Sequence, residues 1–182
     1  MIRLFVSLEL PDAVRERLAG LCCDVPGARW TEPEQMHLTI RFIGEVEEHV
    51  FDEIRDGLGS VSVEPFPLTL RGVGHFPPRG QPRVLWAGVE RSDALRILHQ
   101  RVDAALVRSG LEPERRKFSP HVTLARLRRA PTRAVGSFIS QNGLFQEGPI
   151  EIDRFWLYSS RLSRKQAVHR PEAEYPLGRA LV

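Results

Sequence analysis

A chain of 182 residues with 42% hydrophobic and 27% charged side chains has the size and balance of an ordinary globular domain, not of a disordered or fibrous chain. No apolar run approaches the roughly 20 residues that a membrane-spanning helix needs. Net charge is only +3, although 24 of the 26 basic residues are Arg; planar guanidinium forks suit phosphate, yet they are spread along the whole chain as a composition bias would spread them.

The opening MIRLFVSLELPD carries Glu9 and no small-residue cleavage site, so it reads as a strand over 2–8 rather than a secretion signal. Pro11-Asp12 opens a helix with Val14, Leu18, Leu21 and Cys22 on its apolar face. A turn at Pro26-Gly27 leads into a strand over 36–43 that Gly44 ends, and a helix follows with Val50, Phe51, Ile54 and Leu58 inward. A strand is expected over 66–73. The stretch GHFPPRGQP, 74–82, reads as a linker and loop, and it lacks the Lys-Ser/Thr pair of a phosphate loop.

The second half runs through a strand over 83–89 and a helix capped by Ser92, with Leu95, Leu98, Val102 and Leu106 inward and Gly110 at its end. A strand over 120–127, a short helix over 132–140, a strand over 149–158 and a last strand between 166 and 176 complete it. Each half therefore reads strand, helix, strand, helix, strand. The expected fold is α+β: a single bilobal domain over 1–182, internally duplicated, with two mainly antiparallel sheets lining a central cleft and helices outside. A cleft made within one chain predicts a monomer. The adjacent Cys22 and Cys23 offer no disulfide framework, which predicts a reducing cytoplasm.

One short pattern occurs twice. QMHLTIRFIG (35–44) and SPHVTLARLR (119–128) both hold His, an aliphatic residue, Thr and another aliphatic residue. Side chains alternate on a strand, so His37 and Thr39 share one face while Leu38, Ile40 and Phe42 take the other. His121 and Thr123 likewise oppose Val122 and Leu124. Residues two apart lie about 6.6 Å from one another at Cα, so one phosphate can meet an imidazole and a hydroxyl from the same strand. If the halves face each other, two imidazoles converge on one site, one as a base for water and the other as an acid for the leaving oxygen. Arg126 is the candidate to neutralise developing charge, but strict alternation places it opposite His121, and a twist or bulge is needed to bring it round. A single such histidine is ordinarily a satisfied structural residue; the repetition at matching positions is the signal.

Neither motif strand brings a second His or a Cys at metal-ligand spacing, and Glu32 and Glu34 fall in a loop; neither metal nor cofactor is expected. His49, His75, His99 and His169 lack the motif context, although His75 could edge the cleft. Trp30, Phe76 and Phe118 lie near the motifs and are read first as packing residues, second as stacking surfaces for a base. Alternation places Phe42 in the core and gives Arg41 the face of His37, where it could meet an RNA phosphate.

On these residues the chain resembles the 2H phosphoesterase superfamily, and within it the LigT-like RNA 2′,3′-cyclic phosphodiesterases, also called 2′-5′ RNA ligases. The resemblance rests on RLFVSLELP, RWTEPEQMHLTIRFIGEV, RVLWAGV, KFSPHVTLAR and LYSSRLS, in that order. It implies a bilobal fold and metal-independent opening of a terminal 2′,3′-cyclic phosphate on RNA, tRNA-derived RNA included, to a 2′-phosphate. It further implies His37 as proton donor, His121 as proton acceptor, and Thr39, Thr123 and Arg126 as substrate contacts. Where relatives often have a Tyr in the last strand region, this chain has His169. Ligation in the reverse direction, action on nucleotide cyclic phosphates or 2′-5′ oligoadenylates, and a non-catalytic RNA-end binding module are the competing readings.

Overall fold

The computed structural model describes residues 1–164 and 166–178; Lys165, in the C-terminal region, lies outside them. Strands and helices follow in the order β1 (Ile2–Glu9), α1 (Asp12–Ala19), β2 (Ala28–Trp30), β3 (His37–Val46), α2 (Glu48–Leu58), β4 (Phe66–Phe76), β5 (Val84–Val89), α3 (Asp93–Arg108), β6 (His121–Leu127), α4 (Thr132–Asn142), β7 (Gln146–Ile152), β8 (Arg154–Leu162) and β9 (Ala167–Pro176). The α+β class and the helices are as expected, except that α1 stops at Ala19 and leaves Leu21 and Cys22 beyond its end. Ser92 Oγ accepts from the Leu95 N–H at 3.1 Å, satisfying one of the donors that a helix start leaves open. Behind it, Leu95, Leu98, Val102, Ala105 and Leu106 are buried along one face of α3.

The strands form one antiparallel path, β7-β4-β5-β6-β3-β1-β8-β9, with β2 added beside β6. This corrects the expectation of two separate sheets: the arms are joined, through the single pair Leu38–Val122 between β3 and β6. The order reads symmetrically outward from that pair. It also shows strand exchange between the sequence halves: β4 leaves the first half to pair with β5, whereas β8 pairs with β1.

Three further boundaries differ from the sequence reading. Residues 74–76 are not linker but the end of β4, paired with 84–86 of β5 in a hairpin. Gly74 is needed there because a Cβ would lie 2.3 Å from the Trp86 ring. The run 149–158 is split by Asp153 into β7, paired with β4, and β8, paired with β1; a continuous β-prone segment hides a change of partner. Finally, Gly44 does not end β3. It sits at φ +90° where the register with β1 moves from Leu4–Gly44 to Phe5–Phe42, a bulge that lets the strand continue to Val46.

Both faces of β1 are covered, with Leu4, Phe5, Val6, Ser7 and Leu8 all buried. Leu38, Ile40, Val122 and Leu124 are buried beneath the motif strands. That packing fixes which face of each strand remains for the cleft. No helix among the described residues is long and apolar enough to cross a membrane.

Candidate active site

β3 and β6 each begin at the motif histidine, and each chain entry anchors the ring in the same way. His37 Nδ1 donates to the Gln35 carbonyl at 2.7 Å, and His121 Nδ1 donates to the Ser119 carbonyl at 2.7 Å. A carbonyl can only accept, so Nδ1 carries the proton and Nε2 is left as the exchangeable nitrogen of the neutral ring. Thr39 Oγ1 lies 3.1 Å from His37 Nε2.

The two strands also share an irregularity. Against β1, the register passes from Ser7–Thr39 to Val6–Arg41, leaving Ile40 as an extra residue. Against β5, it passes from Trp86–Thr123 to Leu85–Ala125, leaving Leu124 extra. Each bulge reverses the alternation of the residues that follow it, up to the next irregularity. Arg126 is thereby brought to the side of His121, as the phosphate-contact reading requires.

The same reversal corrects two expectations in the first motif. Phe42 is not in the core; it is 66% exposed and lines the cleft. Arg41, expected beside His37, is turned to the opposite side and is only 8% exposed. Its guanidinium pairs with Asp103 at 2.6 Å and Glu114 at 3.2 Å and donates to the Glu112 carbonyl at 2.7 Å. These contacts tie β3 to α3 and to the loop that leads into the second motif.

A cleft of about 920 Å³ runs over the junction, and His37, Thr39, His121, Thr123 and Arg126 all line it. Leu38 and Val122, the joining pair, stand between the motif residues of the two strands. Burial pushes the His37 pKa down to about 4; the Gln35 carbonyl opposes this, while the charges of His169, Arg15 and His121 add to it. The ring is therefore neutral near pH 7 when the cleft holds no anion. Phe76 meets His121 edge-on at 5.0 Å and also packs on Trp86. Phe118 stacks on His99 at 4.0 Å instead of reaching the cleft. Trp30 packs on Phe138 and borders the cleft as well. His75 is half-buried, with Nδ1 donating to the Pro77 carbonyl, and is not a cleft residue.

Sequence reasoning noted one further residue only as standing where relatives often have a Tyr, and gave it no part in the cleft. His169, on β9, lines the cleft and sets its ring edge-on to His37 at 5.3 Å. Nothing in its local sequence resembles the motif; only the pairing of β9 with β8 brings it there. Among the described residues no three His, Cys, Asp or Glu side chains gather as a metal-ligand set. The groups present, imidazoles, hydroxyls and a guanidinium, are those that move protons and hold phosphoryl oxygens.

Comparison with known proteins identifies the family. The family model described as LigT like Phosphoesterase matches residues 8–86 and 88–169, one stretch around each motif histidine. Over 141 residues the chain is 38% identical to an RNA 2′,3′-cyclic phosphodiesterase of Aeropyrum pernix, covering 76% of this chain and 80% of the relative. It is also 38% identical over 181 residues to the protein of that name from Thermus thermophilus, covering 92% and 86% of the two chains. The crystal structure of E. coli LigT in apo form superposes with a TM-score of 0.79 at 26% identity, covering 98% of each chain. The protein is thus a member of the LigT-like phosphoesterase family.

Proposed function

We propose that the protein is an RNA 2′,3′-cyclic phosphodiesterase that hydrolyses the terminal cyclic phosphate to a 2′-phosphomonoester, with His37 and His121 as its acid and base and no metal ion. The observation that carries the reading is the repeated geometry: two motif histidines, each with Nδ1 tied to the carbonyl two residues earlier, open onto one cleft beside two threonines and Arg126. The relatives at 38% identity, named for this activity, support the substrate.

In the reaction, His121 Nε2 takes a proton from water as the water oxygen attacks phosphorus. The bond from phosphorus to O3′ breaks, and His37 Nε2 delivers its proton to O3′. Water is added across that bond and the phosphate stays on O2′. Thr39, Thr123 and Arg126 hold the non-bridging oxygens, where charge builds as the fifth bond forms. His37 must gain its proton as the substrate binds, since burial holds the empty ring neutral; an adjacent phosphate anion favours the charged ring and supplies that shift.

The same depressed pKa favours a second reading with the roles exchanged, His37 as base and His121 as acid. A substrate carrying sulfur in place of O3′ separates them, because a thiolate leaves without a proton. Sulfur should rescue H37A and not H121A; rescue of H121A alone exchanges the roles. The overall function is tested by offering an oligonucleotide with a 2′,3′-cyclic end in the presence of a chelator. A 2′-phosphate product supports the proposal. Binding without turnover leaves only an RNA-end binding module, and a 2′-5′ joined product identifies a ligase. Cyclic nucleotides and 2′-5′ oligoadenylates offered in the same assay rank the substrates. Both motif strands belong to one chain, so the cleft needs no second subunit, and a monomer is the expected active species.

A further inference from the structure

We infer that His169 is a positioning residue for His37: with Gln35 it clamps the C-terminal hairpin β8–β9 onto the first motif and keeps the His37 imidazole covered and oriented. This rests on the acid/base reading of His37 given above.

The contacts form a closed circuit. The Gln35 backbone carbonyl accepts from His37 Nδ1, and the Gln35 side chain donates from Nε2 to the Ala167 carbonyl at 2.5 Å. Two residues after Ala167, the His169 ring returns to His37, at 5.3 Å and 76° between planes. Phe5 closes the remaining side. It stacks on His37 at 5.0 Å and meets His169 edge-on at 4.9 Å, while it is itself stacked on Tyr158 at 5.4 Å. Thus β1, β8 and β9 each place a ring in one packet with the β3 imidazole. Edge-to-face pairs favour defined orientations over sliding ones, so the packet selects a ring orientation as well as excluding water.

His169 makes no hydrogen bond from a ring nitrogen to another described residue. What it delivers to His37 is therefore cover and charge. Burial lowers its own pKa, and its charge is among the causes that lower that of His37. Other charged groups face the pair from α1, where Arg15 is bridged to Glu9 and Asp12, from β1, where Glu9 lies opposite His37, and from β6, which brings His121 and Arg126 to the cleft. The segment whose role the sequence left open thus acquires one: it is a wall of the His37 packet.

The test reads His37 directly, by the NMR titration of its ring protons, beside the pH profile of turnover on a 2′,3′-cyclic oligonucleotide. In H169A the opened packet lets water reach His37. The titration should rise by about one pH unit, toward the ordinary value, and kcat should fall roughly tenfold through loss of orientation, with KM little changed. H169F restores an aromatic edge without a charge and should return kcat to within about twofold of the parent. If the alanine chain does not fold, H169L takes its place: its bulk keeps His37 covered, but without an aromatic edge kcat should still fall roughly tenfold through loss of orientation. An unmoved His37 titration in H169A, an undiminished kcat in H169L, or a phenylalanine variant no better than the alanine or leucine one, overturns the inference. A shifted titration with turnover that never depended on His37 would instead sink the acid/base reading and leave the packet standing.

Discussion

Phe42 and Arg126 occupy the same place in the two motif strands, each five residues after its histidine and each carried onto the cleft side by a bulge three residues after it. One position is an exposed aromatic ring and the other a guanidinium, so the equivalent sites are chemically unlike. The cleft is symmetric in backbone and asymmetric in what it offers: an apolar platform beside the first histidine and a phosphate-seeking charge beside the second.

Phe42 should therefore matter for substrate and not for stability. F42A removes a ring that is 66% exposed, and the unfolding free energy should change by less than about 0.5 kcal/mol. Losing a base-stacking surface should raise KM for a cyclic-ended oligonucleotide roughly tenfold. An abasic terminal nucleotide should abolish the difference between F42A and the parent; steady-state kinetics on the two substrates checks this.

H37A and H121A should each lower kcat by about 10²- to 10⁴-fold, the usual range for a positioned acid or base. Binding of a 2′-phosphorylated product, measured by calorimetry, should remain. Turnover of the parent should follow a bell-shaped pH profile, since the two rings must hold opposite protonation states. A flat profile with chemistry rate-limiting would contradict the paired roles.

The burial of His37 has a consequence for stability. Its pKa is lowered from 6.5 to about 4 in the folded protein, whereas the unfolded chain binds a proton at the ordinary value. Between those two values the unfolded state carries the extra proton, so stability falls as pH drops through about 6.5 to 4, by on the order of 3 kcal/mol, and this contribution levels off below. Phenylalanine at 37 cannot titrate. The difference in urea-unfolding free energy between the parent and H37F should shift against the parent by that amount from pH 7 to pH 4. A constant difference would show that the ring is not desolvated.

Arg41 should behave as a structural ion. R41M leaves the Asp103 and Glu114 carboxylates without the guanidinium they share, and the cost should be roughly 3 kcal/mol of stability, as for the loss of one partner from a buried pair. The salt dependence of RNA binding should not change, because no phosphate contact is lost. A reduced salt slope would return Arg41 to the substrate side.

Much of the α+β pattern was legible because helices and strands announce themselves by the period of their apolar residues. Leu95, Leu98, Val102 and Leu106 mark α3, and the alternation around His37 and His121 marks the motif strands. Pairing is not periodic, and there the reading failed. Nothing in 74–76 distinguishes a strand end from a linker, and the continuous run around Asp153 conceals two strands with distant partners. For the site, the five residues chosen from the repeat all line one cleft. The misplaced pair, Arg41 and Phe42, marks where strict alternation stops.

The sequence by itself determined the chemistry on offer: two His-x-Thr strands, their aliphatic undersides and the arginine that follows the second. Those properties are local, set by residue type and by which way successive side chains point. Only the tertiary structure decided which face Arg126, Phe42 and Arg41 would take, and that His169 would meet His37. A bulge is a mismatch between two strands and a ring packet is a meeting of four, so neither exists until the chain has chosen its neighbours.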